Sequence, residues 1–580
     1  MKSIGHIVIL LAAVALTSAE IKNKGWWKNM VFYQIYPRSF MDSDNDGVGD
    51  LKGMMSKLAH IKDSGIGAIW LSPIYKSPMR DFGYDISDFK SVDKIFGTLD
   101  DLKNLIAKAK ELKLKVILDL VPNHTSDEHD WFKLSLNKTG KYVDYYIWDN
   151  GTVVNDVPKE PNNWLSVFNG SGWTYNKDRK QFYYHQFYPA QPDLNYLNEN
   201  VQNEMKDVIK YWLDFGVDGF RIDAVPHLIE DKQKRDEPES GTPGAKPTDF
   251  NYLNHIYTKD QDETYKLVQS WRDFVDKYAE DSSRDEIVLM TEAYTNLNNT
   301  IKYYNFGANV PFNFKFITDV NANSTATDFQ NVIDNWIKLT PNEKVPNWVM
   351  GNHDRSRVAT RYPDREDQMI MLAMILPGVA VTYYGEEIGM ADNTEINVTD
   401  SRDVCRTPFQ WDDSAQAGFS NSSKTWLPVH KNYKTLNLLK EKKDSYSHYK
   451  VYTGMTGLRN SSKAVMEGTL QTAVLNKEVL TVLRRAGNNT VALLINFSNK
   501  DKVTVNLTGL ANWNKTTIEL TNVGSGLKPN TLANIQSFSV PAKASVILVS
   551  PGNPKSGASS IASISIVTLV LAAIVSLFRS

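Results

Sequence analysis

Short apolar runs alternate along this chain with stretches whose apolar positions recur every three or four residues, which is the signature of strand and helix in succession. Runs at 31–36, 68–71, 115–120, 219–222, 287–291, 310–314, 347–350 and 379–383 predict eight strands. Between them, 98–112 is a representative helix: Leu102, Leu105, Ile106, Ala109 and Leu112 share one face behind Thr98 as a possible N-cap. Eight such alternations predict an α/β fold, a (β/α)8 TIM barrel. Two breaks in the rhythm matter. The chain between 120 and 219 is far longer than one helix needs, and 125–189 is rich in Trp, Tyr, Asn and Gly without sustained periodicity, so it predicts an inserted subdomain. Residues 392–433 form a second long loop on the same side, and 447–460 predicts a closing helix. From 462 onward β-prone runs at 479–483, 491–497, 503–507 and 537–548 predict a C-terminal antiparallel β-sandwich. The expected domains are a barrel of 20–124 and 190–461, a subdomain of 125–189 and a β domain of 462–550.

Composition adds limits. A chain of 580 residues, 42% hydrophobic, has ample core and more than one domain. A net charge of -2 without any basic block gives no reason to expect a nucleic-acid partner. Lys2, the apolar run 7–16 and Thr17-Ser18-Ala19 predict a cleaved secretory signal peptide over 1–19. Asn-x-Ser/Thr acceptors at Asn137, Asn150, Asn169, Asn298, Asn323, Asn397, Asn421, Asn460, Asn488, Asn496, Asn506 and Asn514 fit that route, some of them by chance. Cys405 is the only cysteine, so no intrachain disulfide can form; it reads either as a small buried hydrophobe or as a reactive thiol. Near the end, the apolar run 561–578 follows Ser556-Gly557-Ala558-Ser559-Ser560 and precedes only Arg579-Ser580. That pattern predicts a glycosylphosphatidylinositol-anchor signal within 551–580, with a retained transmembrane helix as the alternative. The expected location is the extracellular face of the plasma membrane.

Barrel chemistry collects at the carboxyl ends of the strands. In Gly219-Phe-Arg-Ile-Asp-Ala-Val225, period-two alternation puts Arg221 and Asp223 on one face and Phe220, Ile222 and Ala224 on the other. Taken alone, the pair reads first as a structural ion pair. The other strand ends carry Asp119-Leu-Val-Pro-Asn-His124, Glu292, and Asn352-His353-Asp354. So many ionisable groups around one mouth are costly to bury as structure alone.

These stretches, with Gln191-Pro-Asp-Leu-Asn, resemble the five signature regions of the α-amylase family, glycoside hydrolase family 13, across 26–550. Tyr33-Gln-Ile-Tyr-Pro-Arg-Ser-Phe and Arg402-Asp-Val-Cys-Arg-Thr-Pro-Phe-Gln-Trp are further similar to the insect maltases within it. The resemblance implies a retaining α-glucosidase, acting on terminal glucose of maltose, sucrose and short α-glucosides. It implies Asp223 as nucleophile, Glu292 as proton donor and Asp354 as the carboxylate that holds the distorted sugar ring. Asp81 and Tyr84 would hold the terminal glucose, and His124, His353 and Arg402 its other hydroxyls. Arg221 would keep Asp223 ionised, while Phe187 and Gln191 would line the entrance, Phe187 reading also as ordinary packing. Catalysis would need no cofactor. One structural Ca2+ is implied at Asp42, Asp44, Asp46, the Val48 carbonyl and Asp50, where oxygens alternate around Gly47 as in half an EF-hand loop. Gly53 stands where that loop would have a bidentate Glu, and a solvated acidic turn is the alternative. By the same resemblance, Ala224 after the nucleophile goes with α-1,4 linkages. Some relatives are non-catalytic transporter subunits; they lack the catalytic carboxylates, which are present here.

Overall fold

The computed structural model describes residues 20–510, 513 and 516–550. The expected signal peptide and the apolar run 561–578 lie outside the described residues. Among those described, no helix is long and apolar enough to cross a membrane.

Eight parallel strands build the predicted barrel: β1 (Val31–Ile35), β2 (Ala68–Leu71), β3 (Lys115–Leu120), β4 (Gly219–Ile222), β5 (Val288–Thr291), β6 (Val310–Pro311), β7 (Asn347–Val349) and β8 (Val379–Tyr383). Each pairs with its sequence neighbour, and β1 pairs with β8; only β6 and β7 lack a ladder. β6 is also shorter than the apolar run 310–314 predicts. Pro311 has no N–H to donate, and the last backbone bond to β5 is from Phe312 N to Thr291 O at 3.0 Å. The Asn347 side chain bridges the gap instead, accepting from Asn313 N at 2.7 Å and donating to Pro311 O at 2.6 Å.

The alternation along these strands explains where the site lies. Inward positions are apolar near the amino ends, with Phe32, Ala68, Ile117 and Val288 in one buried cluster. One step further along come Gln34, Trp70, Asp119 and Arg221, so the same inward face turns polar towards the carboxyl ends. Gly219 is needed at the start of β4, because a Cβ there would sit 2.3 Å from Val288 O.

The helix predicted behind Thr98 spans Leu99–Glu111, and Thr98 closes a capping box with Asp101. Within 125–189, Trp148–Asp149, Gln181–Tyr184 and Trp173–Asn176 form a three-stranded sheet over Trp164, Trp173, Phe182 and Tyr184. After the helix His448–Ser461, five antiparallel strands follow in the order Thr469–Leu475, Val479–Ala486, Asn489–Asn496, Ser545–Val549, Thr517–Thr521. A second ladder, Val503–Val505 with Phe538–Val540, shares an apolar cluster with that sheet, so two β layers face each other. One sequence expectation fails here: Asn496 is fully buried and its amide donates to Asp501 O and Val540 O, so this acceptor is structural. Asn123 in Asn-His-Thr is likewise buried in the site, and the other described acceptors named above are exposed.

Candidate active site

Strand register builds the floor. Arg221 and Asp119 are direct neighbours across the β3–β4 ladder, so both side chains enter the barrel side by side. Arg221 Nη1 donates to Asp119 Oδ1 at 3.0 Å and also to Asp223 Oδ1. Asp119 accepts further from Trp70 Nε1 and the Tyr84 hydroxyl, and the guanidinium lies 5.1 Å from the Trp70 ring. Arg221, expected to keep Asp223 ionised, is therefore buried beneath the site as the partner of two carboxylates. It is not among the residues that face the pocket.

Above this floor a pocket of about 300 Å³ is lined by Asp81, Tyr84, His124, Phe187, Asp223, Ala224, Glu292, His353, Asp354 and Arg402, together with Phe168, Tyr294 and Arg355. Asp223 follows β4 directly, and the chain then turns away through Ala224, whose φ of 49° is left-handed. This turn swings Ala224 from its ideal-strand direction into the pocket wall, and its N–H donates to Glu292 Oε2 at 2.8 Å. One end of the pocket is closed by ion pairs: Arg402 bonds Asp81 Oδ1 at 2.9 Å, Asp354 Oδ1 at 3.3 Å and Asp400 at 2.6 Å. Tyr84 stacks on His353 at 5.3 Å between ring centres. Gln34 Nε2 lies 2.7 Å from His353 Nδ1 and can only donate, which leaves the imidazole proton on Nε2, 3.4 Å from Asp354 Oδ2. Gln191, expected at the entrance, is buried behind the wall, where it donates to Asp81 Oδ2 at 2.9 Å and touches His124.

The three carboxylates have been given different proton affinities. Burial pushes Glu292 up to about 8, Arg221 opposing and Asp223 and Asp354 adding to the rise. Burial also pushes Asp223 up, to about 6, although Arg221 pulls against it. The adjacent guanidinium thus limits the rise without cancelling it, since Arg221 is shared with Asp119, itself raised by burial to about 7. Burial would raise Asp354 too, but its charged neighbours hold it far below the ordinary carboxylate range. His353 is pushed down to about 3 by burial and is neutral, so the cations that do this are Arg402 and Arg406, the latter 3.2 Å away. His124 is likewise neutral, lowered to about 4. Near neutral pH the arrangement therefore holds one protonated carboxyl and two carboxylates around a space fit for one sugar ring.

The model of the alpha-amylase catalytic domain matches residues 34–468. The chain belongs to the α-amylase family. It is 50% identical to Maltase 1 of Drosophila virilis over 503 residues, covering 82% of this chain and 79% of that protein. It is 45% identical to an alpha-glucosidase of Apis mellifera, over 86% and 90% of the two chains. Among solved structures, the alpha-glucosyl transfer enzyme XgtA superposes with a TM-score of 0.79 at 30% identity, over 90% of this chain and 99% of that one.

In this α-amylase family chain several site residues escaped sequence reasoning. Arg406 lay in the quoted Arg402 stretch, one turn on, yet nothing there marks it as the second cation on Asp354. Phe168, which stacks on Tyr188 at 4.1 Å, comes from the aperiodic insertion, where no spacing predicts direction. Cys405 is buried beneath Arg402, with its thiol pushed up to about 12 by burial, which makes it the inert hydrophobe of the two alternatives. In the 42–50 turn, Asp42, Asp44 and Asp50 bring carboxylate oxygens within 4.8 Å of one another. Asp46 stands apart from that group, its Oδ1 accepting from Val48 N at 2.7 Å.

Proposed function

We propose that this chain is a retaining α-glucosidase that removes terminal glucose from maltose, sucrose and short α-1,4-glucosides. The observation that carries this reading is the Arg402–Asp81–Asp354 closure: with one end of the pocket closed by partly buried ion pairs, only a chain terminus can enter. Asp223, ionised, attacks the anomeric carbon from beneath while Glu292 gives its proton to the departing oxygen. A covalent glucosyl–Asp223 ester and a free alcohol result. Glu292, now a carboxylate, takes a proton from water as that water attacks C1, which releases glucose with its α configuration and returns both carboxyl groups to their starting states. Asp354, held ionised by two guanidinium groups, accepts hydrogen bonds from ring hydroxyls, and neutral His124 and His353 donate or accept without adding charge. Incubation with maltose and with sucrose tests the reading: glucose should appear from both, and an inert protein would refute it.

The oxygen-only set Asp42, Asp44 and Asp50 suits a hard cation such as Ca2+, which would tie the 42–50 turn to the helix Leu51–Asp63 that Asp50 caps. If it binds, chelator should lower the melting temperature, and an unchanged melt would exclude it. The chain's apolar ends further support a secreted, glycosylated, lipid-anchored protein at the extracellular membrane face. Phosphatidylinositol-specific phospholipase C should release it from membranes; finding 561–578 in the mature protein would contradict this.

A further inference from the structure

Val167 and Phe168 line the catalytic pocket, and the chain continues directly into Asn169-Gly170-Ser171, an Asn-x-Ser acceptor. Among the described acceptors that are exposed, Asn169 alone adjoins a pocket residue. Phe168 lines the pocket yet is 38% exposed, so it stands where the pocket opens to solvent. The turn that follows is firmly held. Asn169 N donates to Ser166 O at 2.9 Å, and its φ of 71° is a left-handed conformation that Asn tolerates. Asn169 Oδ1 accepts from Phe250 N at 2.9 Å, and Gly170 N donates to Thr248 O at 2.7 Å, which sews the inserted subdomain to the 248–250 loop. Asn169 Nδ2 donates to no described residue. A Cβ at Gly170 would meet nothing within 4 Å, so the space outside the turn is open.

We propose that Asn169 carries an N-linked glycan that stands at the mouth of the catalytic pocket and turns away long and branched glucans. This role rests on the secreted α-glucosidase reading above and adds a specificity device to it. In the secretory pathway Asn169 Nδ2 loses one proton to solvent and bonds the anomeric carbon of an oligosaccharide. The bond from that carbon to its lipid diphosphate carrier breaks, and the diphosphate leaves with the electron pair. Oδ1 is untouched, so the bond from Phe250 N survives the modification. A branched glycan is bulky beside a pocket of about 300 Å³. Rooted one residue from Phe168, it leaves a path for maltose or sucrose, whereas a polymer must lie across the mouth while its terminal ring reaches Asp223. A clash with the unwanted ligand discriminates without weakening any contact to the small one.

The test uses the full chain made in a eukaryotic secretory host, with Asn169→Asp, Ser171→Ala and Ser171→Thr. The first two abolish the acceptor, Asn169→Asp keeping an oxygen for Phe250 N, and Ser171→Thr preserves it. Mass spectrometry should find sugar on Asn169 in wild type and in Ser171→Thr only. Loss of the glycan should raise kcat/KM on soluble starch about fivefold, a difference of about 1 kcal/mol. Maltose should stay within about twofold, as for surface substitutions, and Ser171→Thr should match wild type on both. Where a variant fails to fold, peptide N-glycosidase treatment of the folded wild type gives the same comparison, since it leaves Asp where the glycan was attached. A bare Asn169 beside glycosylated acceptors elsewhere, or a glycan whose removal leaves the starch-to-maltose ratio unchanged, would overturn the gate. Sugar on no acceptor would instead overturn the secreted reading, and absence of glucose release the glucosidase reading, each taking the gate with it.

Discussion

The two ends of the catalytic pocket use the same residue type under opposite electrostatics. At the closed end, Asp354 has two guanidinium groups within 3.3 Å, from Arg402 and Arg406. At the acid end, the nearest cation to Glu292 is Arg221 at 3.9 Å, already bonded to Asp119 and Asp223. Burial penalises both carboxylates, so the number of cations within reach decides which one gives up its charge. The closed end then binds and the acid end reacts. One loop feeds both cations, Arg402 and Arg406, to the first, while the second is left with a single arginine held below the floor.

Removing the nucleophile should have the largest effect on this contrast. Asp223→Ala is expected to lower kcat on the order of 10^4- to 10^6-fold, the scale seen when a covalent nucleophile is deleted, with the melting temperature little changed. Full unfolding of the variant would mean instead that the Arg221 network is structural. Breaking the closed end comes next. Arg402→Ala leaves Asp81 and Asp354 short of a cation and misplaces the terminal glucose they hold, so kcat/KM should fall on the order of 10^2-fold. With Asp354 less neutralised, longer glucans should enter more readily, which starch digestion by the variant would register.

The pH profile sharpens the same comparison. Activity needs Asp223 ionised and Glu292 protonated, so kcat/KM should fall on the acid side as pH drops through about 6 and on the alkaline side as it rises through about 8. Asp354 is held too low to add an acid limb in the working range. A profile flat up to pH 10 would contradict the placement of the proton on Glu292. The smallest effect is expected at Ala224, whose methyl borders the acid end. Ala224→Val should shift the maltose-to-isomaltose ratio towards isomaltose by about tenfold to a hundredfold, the value of a methyl group or two in a pocket. Its left-handed backbone disfavours a β-branched residue, so total activity should fall as well. An unchanged ratio would separate linkage preference from this position.

How much of this could be read from the chain depends on periodicity. The eight strands and the helix behind Thr98 were legible because alternation and helical spacing report directly on buried faces. Asp223, Glu292 and Asp354 were legible because barrel topology brings strand ends together however far apart they are in sequence. Shared partners were not legible. That Arg221 serves Asp119 as well as Asp223 follows from ladder register, and that Arg406 reaches Asp354 follows from a single turn at Ser401–Cys405. Gln191 was assigned to the right neighbourhood but the wrong side of the wall, since its direction is fixed by contacts with Asp81 and His124. The short β6 was overextended because the apolar run masked the consequence of Pro311.

The division of labour between Asp223 and Glu292 has one direct readout, the configuration of the first sugar released. Proton NMR of maltose hydrolysis, followed in the first minutes before mutarotation, should show the anomeric signal of α-glucose rising ahead of the β form. β-Glucose appearing first would mean a single displacement by water, and Asp223 would not be the nucleophile.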